Sequence, residues 1–270
     1  MKNKMFLTCL LCLLLICGCS DCPRFDYGSM SGQSETLKLA VSDLENYVSH
    51  SKSRIKKYKF NRVDSLSNGE FGFSCDGKGR VIFRAGNDIG ITHAVYTYLE
   101  KMGYLFDLTG TSIPKQLKKS MAEPFDTLIK PTVRWRGIRQ HVNFPMDISS
   151  YDIEDAKEYI DRLVRMRFNK LTIHSYPGQW YETSLGDSLS LAGNYFYGNK
   201  HIMYDNAFLQ QKIKDNDSLF CIPGAEKLKD NPQENSKFAL SWMKELINYA
   251  KKRGLYVQFS FEPRITSVEQ

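Results

Sequence analysis

The 270-residue sequence lacks any apolar run long enough to form a permanent transmembrane helix. Its longest apolar stretch, Met5–Ile16, falls short of the about 20 residues that cross a bilayer. Its cysteines also lack a metal-binding or disulfide pattern, because most lie near the start and only Cys22, Cys75 and Cys221 are scattered beyond it. We therefore expect no metal site and no disulfide framework.

The sequence also lacks a block of like charges. Its formal net charge is +7, but the basic residues are spread along the chain in small clusters such as 54–57 and 115–119. Clusters of this size are typical of solvated faces, whereas nucleic-acid-binding proteins concentrate their basic residues in one stripe or patch. We therefore expect no nucleic-acid partner, and no pattern in the chain indicates a cofactor.

The first residues predict export. Lys2 and Lys4 precede the short apolar run, which ends in Leu15-Ile16-Cys17-Gly18-Cys19. This ending resembles a bacterial lipoprotein signal and implies that residues 1–18 are removed and that Cys19 is lipidated. Residues 19–32 are then a tether, and the protein is anchored by lipid to a membrane of the cell envelope, facing the periplasm or the surface. The alternative is an ordinary cleaved signal.

Residues 33–127 are predicted to form a small α+β domain. Helical spacing of apolar residues begins after Ser34, a predicted N-cap, and Gly103 is predicted to end a second helix. The turn sequence Asp76-Gly77-Lys78-Gly79 predicts a β-hairpin. The predicted helices cover 35–48 and, after the stretch Asn87-Asp88-Ile89-Gly90, residues 91–102, and the predicted strands cover 55–62, 71–75 and 80–85.

Beyond Pro131 the pattern changes to strands that alternate with helices. The predicted strands are 133–143, 170–174 and 255–261, and the predicted helices are 153–167, capped by Ser150, and 236–253. This alternation predicts a parallel α/β architecture. No G-x-G-x-x-G follows the first strand, so a (β/α)₈ TIM-type barrel is favoured over a dinucleotide-binding sheet. A complete barrel needs about 250 residues, so residues 131–270 are expected to hold only its first βα units, in a truncated form.

Two stretches resemble known glycoside hydrolases. The segment 79–103, a strand, a glycine turn and a helix ending in Leu99-Glu100-Lys101-Met102-Gly103, is similar to the non-catalytic N-terminal domain of family 20 β-N-acetylhexosaminidases and of family 67 α-glucuronidases. The segment 131–138 resembles the first barrel strand of family 20. The segment 168–174 resembles the second, with a histidine at its end. The resemblance implies a carbohydrate-degrading barrel enzyme in which Arg136 holds sugar hydroxyls.

The chain departs from the family 20 pattern at positions that hold acidic residues in that family. His141 stands where family 20 has an aspartate, and Pro177-Gly178 replaces a pair of aspartates. Glu262 lies two residues beyond the family's glutamate position, and the family's catalytic Asp-Glu pair would follow a fourth strand. We therefore expect the chain to lack the catalytic acid and to be inactive by itself, and no catalytic residue is predicted.

Candidate substrate-binding residues lie where barrel enzymes build their sites, at the carboxyl ends of strands and in the loops that follow. The guanidinium groups of Arg136 and Arg139 suit sugar hydroxyls or a uronate, although both side chains could instead pair with acidic neighbours. The remaining candidates each have a structural alternative, core packing or ion pairing: His141, His174, Glu262 and Trp180.

These features predict an exported lipoprotein glycoside hydrolase, hexosaminidase- or α-glucuronidase-like, whose partners are an oligo- or polysaccharide and a membrane. The alternative function is a non-catalytic glycan-binding lipoprotein of the cell surface. A third hypothesis is a truncated chain that does not fold stably.

Overall fold

The computed structural model describes residues 23–28, 34–49, 55–67, 69–115, 123–141, 148–175, 225–228 and 231–261. The predicted signal, Cys19, Trp180 and Glu262 lie outside these ranges. The chain divides into two compact units: the first comprises Met1–Gln33, Ala40–Gly103 and Pro114–Lys130, and the second comprises Ser34–Leu39, Tyr104–Ile113 and Pro131–Gln270.

The described residues form strands and helices in both units. The strands are β1 (Arg24–Asp26), β2 (Lys57–Arg62), β3 (Phe71–Cys75), β4 (Arg80–Ala85), β5 (Leu105–Asp107), β6 (Gly110–Ser112), β7 (Phe125–Ile129), β8 (Gly137–His141), β9 (Lys170–Ser175) and β10 (Tyr256–Phe261). The helices are α1 (Glu35–Ser49), α2 (Asp88–Met102), α3 (Ile153–Arg165) and α4 (Pro232–Lys252). The predicted mixed α/β class is confirmed.

The first unit is built on a five-stranded sheet in the order β1-β2-β4-β3-β7. β1, β2 and β4 run parallel, and β3 is antiparallel to both β4 and β7. Apolar side chains of the sheet and of α2 form an aromatic core. The Tyr98 ring lies edge-on to Phe83 at 5.4 Å and to Phe73 at 5.8 Å between centroids, a geometry that aromatic pairs favour.

The turn between β3 and β4 confirms the predicted hairpin. Oδ1 of Asp76 accepts hydrogen bonds from the backbone N–H of Lys78 (2.8 Å) and of Arg80 (3.0 Å). Gly77 and Gly79 have φ values of +70° and +94°, which glycine adopts without a steric penalty. The bonds from Arg80 and Lys78 lower the pKa of Asp76 despite its slight burial, so the turn favours the charged carboxylate.

The predicted start of α1 and the predicted end of α2 are also confirmed, whereas α2 begins at Asp88, three residues earlier than predicted, and is capped by Asn87. The hydroxyl of Ser34 accepts the N–H of Leu37 at 3.2 Å, and Oδ1 of Asn87 accepts the N–H of Gly90 at 2.9 Å. Gly103 ends α2 in the left-handed conformation with φ 111°, and its N–H bonds to the carbonyl oxygens of Leu99 and Glu100. These contacts satisfy backbone groups that a helix terminus leaves without an internal partner.

The second unit contains a three-stranded sheet in the order β10-β9-β8, and all its strands are parallel. α3 lies between β8 and β9 in sequence, and α4 lies between β9 and β10. The predicted strand–helix alternation and its parallel pairing are therefore confirmed.

Several predicted element boundaries were wrong. β8 begins at Gly137 rather than at residue 133, and α4 begins at Pro232 rather than at residue 236. Asp152, not Ser150, caps α3: its carboxylate accepts the N–H of Asp155 at 2.8 Å, whereas Ser150 belongs to a short 3₁₀ turn. A carboxylate at this position also interacts favourably with the helix dipole.

The short strands were not predicted from the sequence. β1 lies inside the segment predicted to be a tether, and the β5–β6 hairpin and β7 were not predicted as strands. β1, β5 and β6 have three residues each, too few to show an alternating pattern. Within the described part of the chain, no helix has both the length and the apolar character needed to cross a membrane.

Candidate functional site

The three parallel strands have one helix-facing side and one opposite side. Leu171 and Ile173 of β9 are completely buried. Gln140 is the β8 partner of Ile173 and donates a hydrogen bond of 2.7 Å to the hydroxyl of Tyr159 on α3. Because side chains alternate along a strand, Thr172 and His174 lie on the side away from α3.

A row of polar residues crosses the sheet near the carboxyl ends of its strands. His141, His174 and Ser260 are aligned partners on β8, β9 and β10. Nδ1 of His174 and Oγ of Ser260 are 2.8 Å apart, so the two side chains share a hydrogen bond. His174 is only 5% exposed. Its ring therefore forms part of the packed floor at this end of the sheet and does not project into solvent.

Arg139 lies one row further toward the amino end of the sheet. It is aligned with Thr172 and, through β9, with Gln258. Since it is adjacent to Gln140, which faces α3, it belongs to the side of the sheet away from α3, and its side chain is exposed. The structure thus brings Arg139 and His174, two of the predicted site residues, to the same side of the sheet. His141 is aligned with His174 along the backbone.

Arg136 does not join this group, contrary to the expectation that it shares a site with His174. It precedes Gly137, whose partner is Lys170 at the beginning of β9. His174 lies four positions beyond Lys170, a rise of roughly 13 Å along a strand. The Arg136 guanidinium instead donates to two backbone carbonyls, those of Arg167 (3.0 Å, from Nε) and Val133 (2.8 Å).

Asn169 works with Arg136 at the amino end of the sheet. Its Oδ1 accepts the N–H of Arg136 at 2.8 Å, and its Nδ2 donates to the carbonyl of Arg134 at 2.8 Å. The backbone N–H of Asn169 returns a bond to the carbonyl of Arg136 (2.8 Å). Burial and the nearby Arg167 lower the pKa of Arg136. We refer to Arg136 and Asn169 together as the strand clamp; of the two, only Arg136 was singled out in the sequence, as a sugar contact.

The other predicted site residues, Glu262 and Trp180, lie outside the described ranges. Glu262 directly follows Phe261, the last residue of β10. Among the described residues, no cluster of three histidine, cysteine or acidic side chains could hold a metal ion. Ser260 was not predicted from the sequence, because a single serine in a strand carries no distinguishing pattern.

No protein-family model matches the chain. No curated protein matches it either. The fold is similar to that of the family 20 β-N-acetylhexosaminidase from Streptomyces coelicolor A3(2), with 14% identity, a TM-score of 0.51, and coverage of 88% of this chain and 41% of that one. It is also similar to a family 138 glycoside hydrolase targeting pectin rhamnogalacturonan II, with 13% identity, a TM-score of 0.50, and coverage of 88% of this chain and 24% of that one.

These similarities show a glycoside-hydrolase-like fold. At such low identity the likeness concerns the fold alone, and a fold can host many activities. The chain spans less than half the length of either structure.

Proposed function

We propose that this chain is the amino-terminal part of an exported, lipid-anchored glycoside hydrolase. In this proposal residues 33–127 form a non-catalytic domain, and residues from 131 onward form the first βα units of a (β/α)₈ barrel. The observation that carries the proposal is the parallel order β8-β9-β10, with a helix before each of the last two strands. Parallel strands in sequential order joined by helices are the repeating unit of a barrel.

The proposed saccharide site lies at the carboxyl ends of these strands. In barrel enzymes this end holds the active site, because the loops after the strands converge there. His174 and Ser260 form its floor, and Arg139 offers paired N–H donors that suit sugar hydroxyls or a uronate. His141, Glu262 and Trp180 are proposed to line the same end. The proposed partners are an oligo- or polysaccharide and a membrane.

Binding of a saccharide by the chain itself tests this proposal. Isothermal titration with p-nitrophenyl N-acetyl-β-glucosaminide and with glucuronoxylan fragments separates the hexosaminidase-like from the glucuronidase-like site. We expect saturable binding of one of these ligands, weakened at least tenfold by His174→Ala. Lys237→Ala on the exposed surface of α4 is the matched control and should leave affinity unchanged. Absence of binding to both ligands contradicts the proposed saccharide site.

Turnover separates the enzyme from a non-catalytic glycan-binding lipoprotein. Glycoside hydrolysis generally uses two carboxylates roughly 5–10 Å apart, and we propose that they are supplied beyond residue 261. Sequencing the coding DNA past Gln270 tests this directly. An in-frame continuation with an Asp-Glu pair after another strand supports the enzyme. The protein encoded by the extended reading frame should then release nitrophenol from p-nitrophenyl N-acetyl-β-glucosaminide. If that extended protein binds the saccharide but releases no nitrophenol, the result supports the glycan-binding alternative.

The lipid anchor has its own test. Cells that express the chain and are grown with radiolabelled palmitate should incorporate label into the wild type and not into Cys19→Ala. Cys22→Ala is the matched control, because it changes a nearby thiol and leaves the proposed lipidation site intact. Labelling of Cys19→Ala would contradict the anchor while leaving the saccharide site in place.

A further inference from the structure

The contact between His174 and Ser260 joins two neighbouring strands at the end of the sheet. The two residues are direct partners in the parallel register of β9 and β10. The Nδ1–Oγ distance is 2.8 Å, and the imidazole is 5% exposed. A buried imidazole needs hydrogen-bond partners for its nitrogens, because desolvating them without partners is unfavourable.

A hydrogen bond to one ring nitrogen constrains the whole side chain. The second torsion angle of histidine is broad, so strand geometry alone leaves the ring free to turn by about 180° and exchange nitrogen and carbon positions. The bond made by one nitrogen also sets which nitrogen carries the proton. A serine hydroxyl donates to an unprotonated Nδ1 or accepts from a protonated one, so the direction in which the Ser260 hydroxyl points selects the tautomer of His174.

We infer that Ser260 is a positioning residue for His174: its hydroxyl fixes the orientation and the tautomer of the imidazole at the carboxyl ends of β9 and β10. Ser260 acts through His174 and need not contact the saccharide. The consequence for saccharide affinity rests on the proposed function, whereas the state of the ring is a property of the folded chain alone.

The test combines nitrogen NMR of the imidazole with saccharide binding. We prepare the full chain with ¹⁵N-labelled histidine, assign His174 by its loss in His174→Ala, and compare the wild type with Ser260→Ala. We expect the wild type to show one predominant tautomer and Ser260→Ala to show a mixture. We also expect Ser260→Ala to bind p-nitrophenyl N-acetyl-β-glucosaminide or glucuronoxylan fragments about tenfold more weakly, which corresponds to the loss of about 1.4 kcal/mol.

An isosteric pair separates the hydroxyl from packing. Ser260→Thr retains the hydroxyl and should keep the wild-type signals of the His174 ring. Valine has nearly the same shape as threonine but no hydroxyl, so Ser260→Val should give the mixture of tautomers. Gln258→Ala is the matched control, since it removes a polar side chain two residues earlier on the same side of β10. If Ser260→Ala does not fold, the threonine–valine comparison decides the question.

The outcomes distinguish this inference from the proposed function. Unchanged His174 signals in the alanine and valine variants overturn the positioning role, whatever happens to binding. A threonine variant with the same mixed signals as the valine variant also overturns it. If the wild type binds no saccharide but its ring signals respond to Ser260 as expected, the proposed function fails and the positioning of His174 stands.

Discussion

Arg253 shows at the residue scale how the second unit accommodates a buried charge. The side chain is 3% exposed, and its Nε lies 2.8 Å from Oδ1 of Asp161 on α3. The same carboxylate oxygen accepts a hydrogen bond of 2.9 Å from the hydroxyl of Tyr249 on α4. A buried guanidinium is tolerated only where it is paired, so Asp161 connects the two helices and the residue that follows α4.

Replacing Asp161 should therefore be strongly destabilising. We expect Asp161→Ala to lower the free energy of unfolding by about 3 kcal/mol, because removing one partner of a buried ion pair leaves the other charge uncompensated. Urea denaturation measures the change. Glu234→Ala is the control: it breaks an exposed pair with Lys237 (2.8 Å) and should cost under about 1 kcal/mol. Similar losses in the two variants would contradict the role given to Asp161.

Glu158 makes stability depend on pH. Burial raises its pKa, but the hydrogen bonds and charges of Arg165 and Arg162 outweigh burial, and the pKa is lowered overall. A carboxyl whose folded pKa lies below its unfolded value contributes stability above the unfolded value, near 4.3, and loses it as pH falls through the folded pKa.

Glu158→Gln tests this sign. We expect the variant to be less stable than the wild type at pH 7, and the difference to shrink as pH falls from about 5 toward 3. Urea denaturation at several pH values measures both proteins. A difference that stays constant over this range, or grows toward low pH, would show that the charge of Glu158 is not the source of its contribution.

The junction of β8 and β9 is fixed at the element scale by the strand clamp. A shift of one residue between paired strands would move every side chain to the opposite side of the sheet. The side chain of Asn169 bonds to Arg136 and Arg134 just ahead of the first paired residues, Gly137 and Lys170. The clamp therefore sets the register that aligns His141 with His174.

Asn169→Ala should weaken this junction. We expect a loss of about 1–3 kcal/mol in the free energy of unfolding, because the backbone N–H of Arg136 loses its partner, together with faster hydrogen exchange at that amide. Asn169→Asp keeps an acceptor for this N–H and should protect it better than alanine does. Wild-type exchange at Arg136 in the alanine variant would contradict the clamp.

At the scale of the whole molecule, the second unit exposes large apolar side chains on β10. Tyr256 is 55% exposed and Phe259 is 44% exposed. Within the described residues β10 pairs with β9 on one side only. Exposed apolar side chains on a strand favour contact with another chain, so we expect this chain to self-associate through β10.

Phe259→Thr should reduce that association while keeping a β-branched residue suited to a strand. Sedimentation velocity at several concentrations measures the effect. Ile113→Thr is the control, because Ile113 is 71% exposed but lies outside β10. Equal reductions in the two variants would indicate general surface hydrophobicity and not pairing at β10.

Local patterns in the sequence determined the longer elements and several of their ends. Ser34 and Gly103 act within a few residues of themselves, so their capping roles can be read without knowing the fold. The strand–helix alternation after Pro131 likewise predicted the parallel sheet, because parallel strands need a connection of this length.

Only the tertiary structure decided which distant residues meet. The sequence placed Arg136 and His174 in one site, but the register of β8 and β9 puts them at opposite ends of the sheet. The bond between His174 and Ser260 joins residues 86 positions apart, and no local pattern encodes such a pair. Side-chain periodicity is a local property, whereas register and burial depend on every strand and helix packed around the site.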